Sequence, residues 1–256
     1  MPAKVDSAAV IGYYVNARMG VMIMRNFWGF YDNGIYRVGC NGATIYVYGQ
    51  DRKELGRFKD VPYAYCGAFQ PETNIFAAKS TEGFLAIYDF GRMQLQKKIV
   101  ITRIGAQDGG FAFSPDGNYF YNIESPIRST CTQLTVYRTA DYEVEQILFK
   151  ENTDMVLMDI EFDKPTNEGY VLGFMRGKRG VMEYGFLGNF TGNDVSDIRK
   201  IGNEEYEYVR AYKGWERMGY TPKALAWNSI RHYSSRPHVS LKHMWDSKCN
   251  VPASVV

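Results

Sequence analysis

One stretch of this chain is repeated within it. Residues 35–48 (IYRVGCNGATIYVY) align without a gap, at an offset of 40, with residues 75–88 (IFAAKSTEGFLAIY). Both read as strand, tight polar turn, strand, and each leads through a short loop to another candidate strand, at 55–58 and 95–101. The pattern continues with strands at 111–113, 119–123 and 134–137. A further unit has a first strand ending Ile160-Glu161-Phe162, a turn over 163–169, and strands at 170–174 and 181–184. Two sets of landmarks keep the period. Phe69, Phe113 and Phe162 close first strands at intervals of 44 and 49, while Tyr48, Tyr88, Tyr137 and Tyr184 mark third strands at intervals of 40, 49 and 47. The turns after the first strands share their chemistry: Pro71 and Asn74, Pro115 and Gly117, Pro165 and Asn167. Proline presets one backbone angle there, and Asn or Gly tolerates the rest of the turn.

A unit of 40 to 49 residues with four strands has the size of a propeller blade. So small a sheet has two faces to cover, and stacking on neighbouring blades covers both. A β-sandwich also repeats short strands, but it gives no reason for the same turn chemistry at a similar period in three units. Twenty Tyr and fifteen Phe suit a pleated, half-buried surface, and twenty-five Gly supply turns. The expected fold is therefore all-β: a propeller of four recognisable four-stranded blades.

The sequence Phe111-Ala112-Phe113-Ser114-Pro115-Asp116-Gly117 is similar to a first-strand signature of WD40 and related propellers. Ile87-Tyr88-Asp89 resembles that family's Trp-Asp ending, with Tyr in place of Trp. The resemblance spans about residues 21–202 and implies a divergent WD40-like propeller, whose usual role is to bind proteins. The chain departs from the family pattern in having no Gly-His dipeptide, and one unit alone keeps an Asp after the third-strand aromatic. The family's hydrogen-bonded network between those residues is not carried over.

Four units leave closure of the ring open. Residues 10–15 could supply a strand to the last blade, the C-terminal segment could be a degenerate fifth blade, or the chain could be part of a larger propeller. The organisation expected is a propeller over 1–202 and a basic, aromatic helical extension over 203–256. Asn203 with Glu204 and Glu205 reads as a helix start. Tyr208, Tyr212, Trp215 and Met218 follow at helical spacing up to Gly219. A second helix is expected after Thr221-Pro222, through Ala226, Ile230 and Tyr233, and 234–256 reads as loop.

The whole chain carries a net charge of +2, but residues 208–256 hold eight Lys and Arg against Glu216 and Asp246, a net of +6. Such asymmetry points to an anionic partner. Arg210, Lys213, Trp215, Arg217, Lys223, Arg231 and Arg236 are the candidate partner-binding residues: basic groups could neutralise phosphates while rings stack on bases. The plainer alternative is that the aromatics pack on the propeller and the charges are solvated.

Cys40, Cys66, Cys131 and Cys249 are widely spaced and read as free thiols. His232, His238 and His243, with Cys249 beyond them, match no zinc spacing. The N-terminus does not read as a signal peptide, and no run approaches the roughly 18 apolar residues of a membrane helix. A cytoplasmic protein with no cofactor and no membrane association is the expectation. The chain contains no GxxxxGK[ST], GxGxxG or GxSxG. A non-catalytic scaffold with a protein or peptide partner is therefore the first expectation. A propeller hydrolase or lyase with acidic residues in its central channel is the second, and nucleic-acid binding through the tail the third.

Overall fold

The structure, a computed structural model, describes Phe27 and residues 29–101, 109–125, 132–217 and 240–246. Among the described residues, sixteen strands form four antiparallel meanders in chain order. The first blade is β1 (Gly29–Asp32), β2 (Tyr36–Cys40), β3 (Ile45–Gly49) and β4 (Glu54–Phe58). The second is β5 (Ala64–Phe69), β6 (Ile75–Ser80), β7 (Phe84–Asp89) and β8 (Gln94–Val100). The third is β9 (Phe111–Phe113), β10 (Tyr119–Glu124), β11 (Gln133–Arg138) and β12 (Val144–Leu148). The fourth is β13 (Met155–Phe162), β14 (Gly169–Arg176), β15 (Met182–Thr191) and β16 (Asp194–Ile201). The first strands are neighbours, β1 beside β5, β5 beside β9 and β9 beside β13. This is the expected propeller architecture.

Burial explains the sequence pattern strand by strand. Successive residues of a strand point to opposite faces, and in the middle strands both faces are covered. Phe76, Ala78, Ala86 and Tyr88 pack towards Val38, Cys40 and Val47 of the first blade. Their neighbours Ala77, Leu85 and Ile87 pack towards Phe111, Phe113 and Phe120 of the third. These strands therefore read as continuous apolar runs. The outermost strands are half-solvated: β8 (QLQKKIV) alternates exposed and partly buried residues along its whole length.

Register shows which landmarks are equivalent. Phe69, Phe76 and Tyr88 lie opposite one another across the second blade, and Phe113, Phe120 and Tyr137 across the third. The first blade has Asp32, Arg37 and Tyr48 in that row. In the fourth the row is Phe162, Gly169 and Phe190. Tyr184 lies in β15, as expected of a third-strand residue, but it faces Met175. Phe190, not Tyr184, is the counterpart of Tyr88 and Tyr137. The β14–β15 hairpin is longer than its equivalents, and that displaced the landmark. Gly169 makes room in this row: a Cβ there would meet the rings of Phe190 at 2.9 Å and Phe162 at 3.2 Å.

Among the described residues two helices follow, α1 (Asn203–Arg217) and α2 (Leu241–Asp246). The Gly202 carbonyl accepts from Tyr206 N at 2.9 Å, so the cap falls one residue before Asn203. Glu204 and Glu205 sit in the first turn, where the helix dipole favours acids. The α2 helix lies in a segment read from sequence as loop. Ser240 caps it, its Oγ accepting from His243 N at 3.0 Å, and Leu241 and Met244 are buried. Six residues carry too little periodicity to show themselves, and packing holds the turn. With Tyr206 and Val209 of α1, these residues cover Tyr170, Leu172, Leu187 and Ile201 of the fourth blade. The expected strand at 10–15 and the helix after Thr221 lie outside the described residues.

Candidate functional site: a cavity between the first strands

The first strands of all four blades border one cavity of about 630 Å³. Its wall includes Tyr31, Asp32 and Asn33 from the first blade and Gly67–Thr73 from the second. The third blade adds Phe111–Phe113, the fourth Asp159–Phe162 and Lys164, and α1 contributes Lys213. Aromatic walls with a few polar groups are the usual make-up of a binding cavity.

Three of the polar side chains, Tyr31, Asn33 and Gln70, also hold the blades together. Tyr31 OH accepts from Gly67 N at 2.8 Å, and Asn33 Nδ2 donates to the Thr73 carbonyl at 3.1 Å, joining the first blade to the second. Gln70 Nε2 donates to the Gly117 carbonyl at 2.8 Å, and Tyr142 OH donates to Gln70 Oε1 at 3.3 Å, joining the second to the third. The third and fourth meet through Gly110 N, which donates to the Met158 carbonyl at 2.8 Å.

The carboxylates of the wall are engaged as well. Asp32 accepts from Gly34 N, Gln50 Nε2 and Arg37 Nε at 2.7, 3.1 and 3.1 Å. Asp159 is buried and accepts from Ile160 N at 2.9 Å. Glu161 Oε2 accepts from Lys213 Nζ at 2.8 Å and from Leu241 N at 2.9 Å. Glu72 and Lys164 stand exposed at the rim. Sequence reasoning did not single out Asp159 or Glu161. The available signal was a pair of acids two apart in an otherwise apolar strand, Met-Asp-Ile-Glu-Phe.

Of the candidate residues of the tail, the side chains of Arg210 and Lys213 are described, and they face different surroundings. Arg210 is exposed and engages Glu207 through Nε and Nη2 at 3.0 and 2.9 Å. Lys213 points inward and is buried. Trp215 and Arg217 belong to the end of α1, and Lys223, Arg231 and Arg236 lie outside the described residues. His243 is exposed on α2. Cys40 and Cys66 are buried thiols outside any disulfide, and burial pushes the Cys40 thiol well up, with the nearby Cys66 adding to it. The family-like Asp89 serves its own turn, accepting from Arg92 N at 3.1 Å and Arg92 Nη1 at 3.0 Å.

A second polar group is buried between the blades. Glu124 Oε1 accepts from Asn122 Nδ2 at 2.9 Å and from Tyr137 OH at 3.2 Å. Burial, reinforced by Glu124, raises the Tyr137 phenol far above its ordinary value, so it stays a proton donor. Among the described residues, no group of three or more His, Cys, Asp or Glu could hold a metal ion. No described helix is long and apolar enough to cross a membrane.

No protein-family model matches this chain, and no curated protein sequence does. Among solved structures it is similar to hydrazine synthase of Kuenenia stuttgartiensis, with a TM-score of 0.54 at 14% identity, over 76% of this chain and 53% of that one. The dihydro-heme d1 dehydrogenase NirN, in complex with DHE, gives a TM-score of 0.46 at 12% identity, over 63% of this chain and 33% of that one. The chain thus spans about half the length of the first of these structures. The likeness to it is one of fold, the β-propeller.

Proposed function

We propose that this protein is a non-catalytic interaction module of WD40-like type that takes a protein or peptide partner at the mouth of the cavity. The carrying observation is the state of the cavity wall. Asp32 and Glu161 accept hydrogen bonds that hold a turn and a helix, and buried Asp159 accepts from the N–H of its neighbour Ile160, while turns from the blades surround the opening. Rigid scaffolds of this kind present loops to partners. A reducing compartment such as the cytoplasm suits the buried thiols of Cys40 and Cys66.

Selection of a random peptide library on the immobilised protein tests the reading. Peptides should be enriched on the wild type and lost on Lys164→Trp, which places a large ring at an exposed position of the rim. No enrichment, or binding indifferent to Lys164→Trp, would overturn it.

The pairing of Asp159 and Glu161 along β13 favours a second reading, a hydrolase or lyase using channel acids. Turnover of a panel of glycosides or lactones, abolished in Asp159→Asn, would decide for it. The nucleic-acid reading draws its support from the basic residues of the tail and the aromatics interleaved with them.

A further inference from the structure

Glu161 belongs to two structures at once. Its carboxylate lines the cavity, and the same Oε2 receives Lys213 Nζ from α1 and the first backbone N–H of α2. Those two helices are the ones that cover the outward face of the fourth blade. Glu161 thus ties both described C-terminal helices to the cavity.

The tie brings a cation inside. The Lys213 side chain is 6% exposed, and its ammonium reaches a wall that also carries Asp32 and Asp159 and the rings of Tyr31, Phe111 and Phe113. Acidic groups outnumber basic ones on that wall: Asp32, Glu72, Asp159 and Glu161 against Lys164 and Lys213. An ammonium on an aliphatic stem, among carboxylates and aromatic rings, is satisfied at both its charged and its apolar ends.

We propose that Lys213 is an internal stand-in for a lysine side chain of the partner. A lysine-bearing peptide entering the cavity competes with Lys213 for Glu161, and α1 and α2 loosen as it binds. The free protein is then partly self-occupied, and its apparent affinity is reduced by the fraction of molecules in that state. This rests on the interaction-module reading and specifies both its partner and its control.

The test uses the full chain, with Nα-acetyl-lysine methylamide as the probe, titrated by NMR. Lys213→Met keeps the apolar stem and removes the competitor, and it should bind the probe at least ten-fold tighter than the wild type. Adding Glu161→Gln to that variant should abolish the gain. In the wild type, saturating probe should speed amide hydrogen exchange in 203–217 and 241–246 while β7 stays protected. Lys213→Arg preserves the ion pair and should behave as wild type; Lys213→Gln gives a second reading of the vacated site if the Met variant fails to fold. Equal probe affinity in wild type and Lys213→Met, or tight binding with no change in helix exchange, overturns the proposal. Selected peptides that need an open rim yet bind wild type and Lys213→Met equally would sink the stand-in and leave the interaction module standing.

Discussion

Lys79 shows how far a residue's role can depart from its type. Lysine is among the residues least often fully buried, yet Lys79 has 0% exposure. Its Nζ donates to the carbonyls of Gly109 at 2.8 Å and Ile123 at 3.0 Å, reaching from the second blade into the third. The Phe111 ring lies 5.7 Å from the same nitrogen. Both acceptors belong to buried residues and would lose this donor if the ammonium were removed. Lys79→Met should therefore destabilise the protein by about 2–4 kcal/mol, because each stranded acceptor costs about 1–3 kcal/mol. Urea unfolding measures this, and a change under 0.5 kcal/mol, roughly the size of an ordinary surface substitution, would show that the contact is dispensable. Nothing in Ala-Ala-Lys-Ser announces such a role. It depends on where another blade's backbone ends.

At the level of elements, the middle strands were legible because their apolar runs and turns recur. The edges were harder. The strand β1 is four residues long and places Asp32 where the other blades have Phe69, Phe113 and Phe162, so the landmark was missing. The strand β12 is short and mostly exposed and β16 is largely polar, which weakens their apolar signal. The helix α1 announced itself through acids and spacing, but its seat did not. A Cβ on Gly185 would stand 2.6 Å from Tyr206 Cβ and 2.8 Å from Cγ. That contact is with the root of the side chain, so helix and strand must move apart to relieve it. Gly185→Ala should cost about 1–3 kcal/mol, as overpacking does, and raise amide exchange in 203–217 before it affects β7. Unchanged exchange in α1 would mean that the helix is seated elsewhere.

For the whole molecule, the four blades form a stack in which each sheet relies on the next. The apolar core does not end at the fourth blade: Tyr170, Leu172, Leu187 and Ile201 pass their burial on to Tyr206, Val209, Leu241 and Met244. A chain ending at residue 202 should therefore bind a hydrophobic dye and melt without a sharp transition. A truncated chain with the wild-type Tm and no dye binding would show the helices to be dispensable. The sequence by itself determined the repeat, the strand-rich blades, the turn chemistry and the existence of α1. Those depend on local spacing and on which residues tolerate a turn, information that lies within some tens of neighbouring positions. The tertiary structure alone decided that Phe190 replaces Tyr184 in register, that Lys213 faces inward, and that Glu161 joins a cavity to two helices. Each of these depends on distant segments meeting at distances of a few ångströms. A hydrogen bond between residues 80 positions apart, as from Leu241 to Glu161, leaves no periodic trace in the chain.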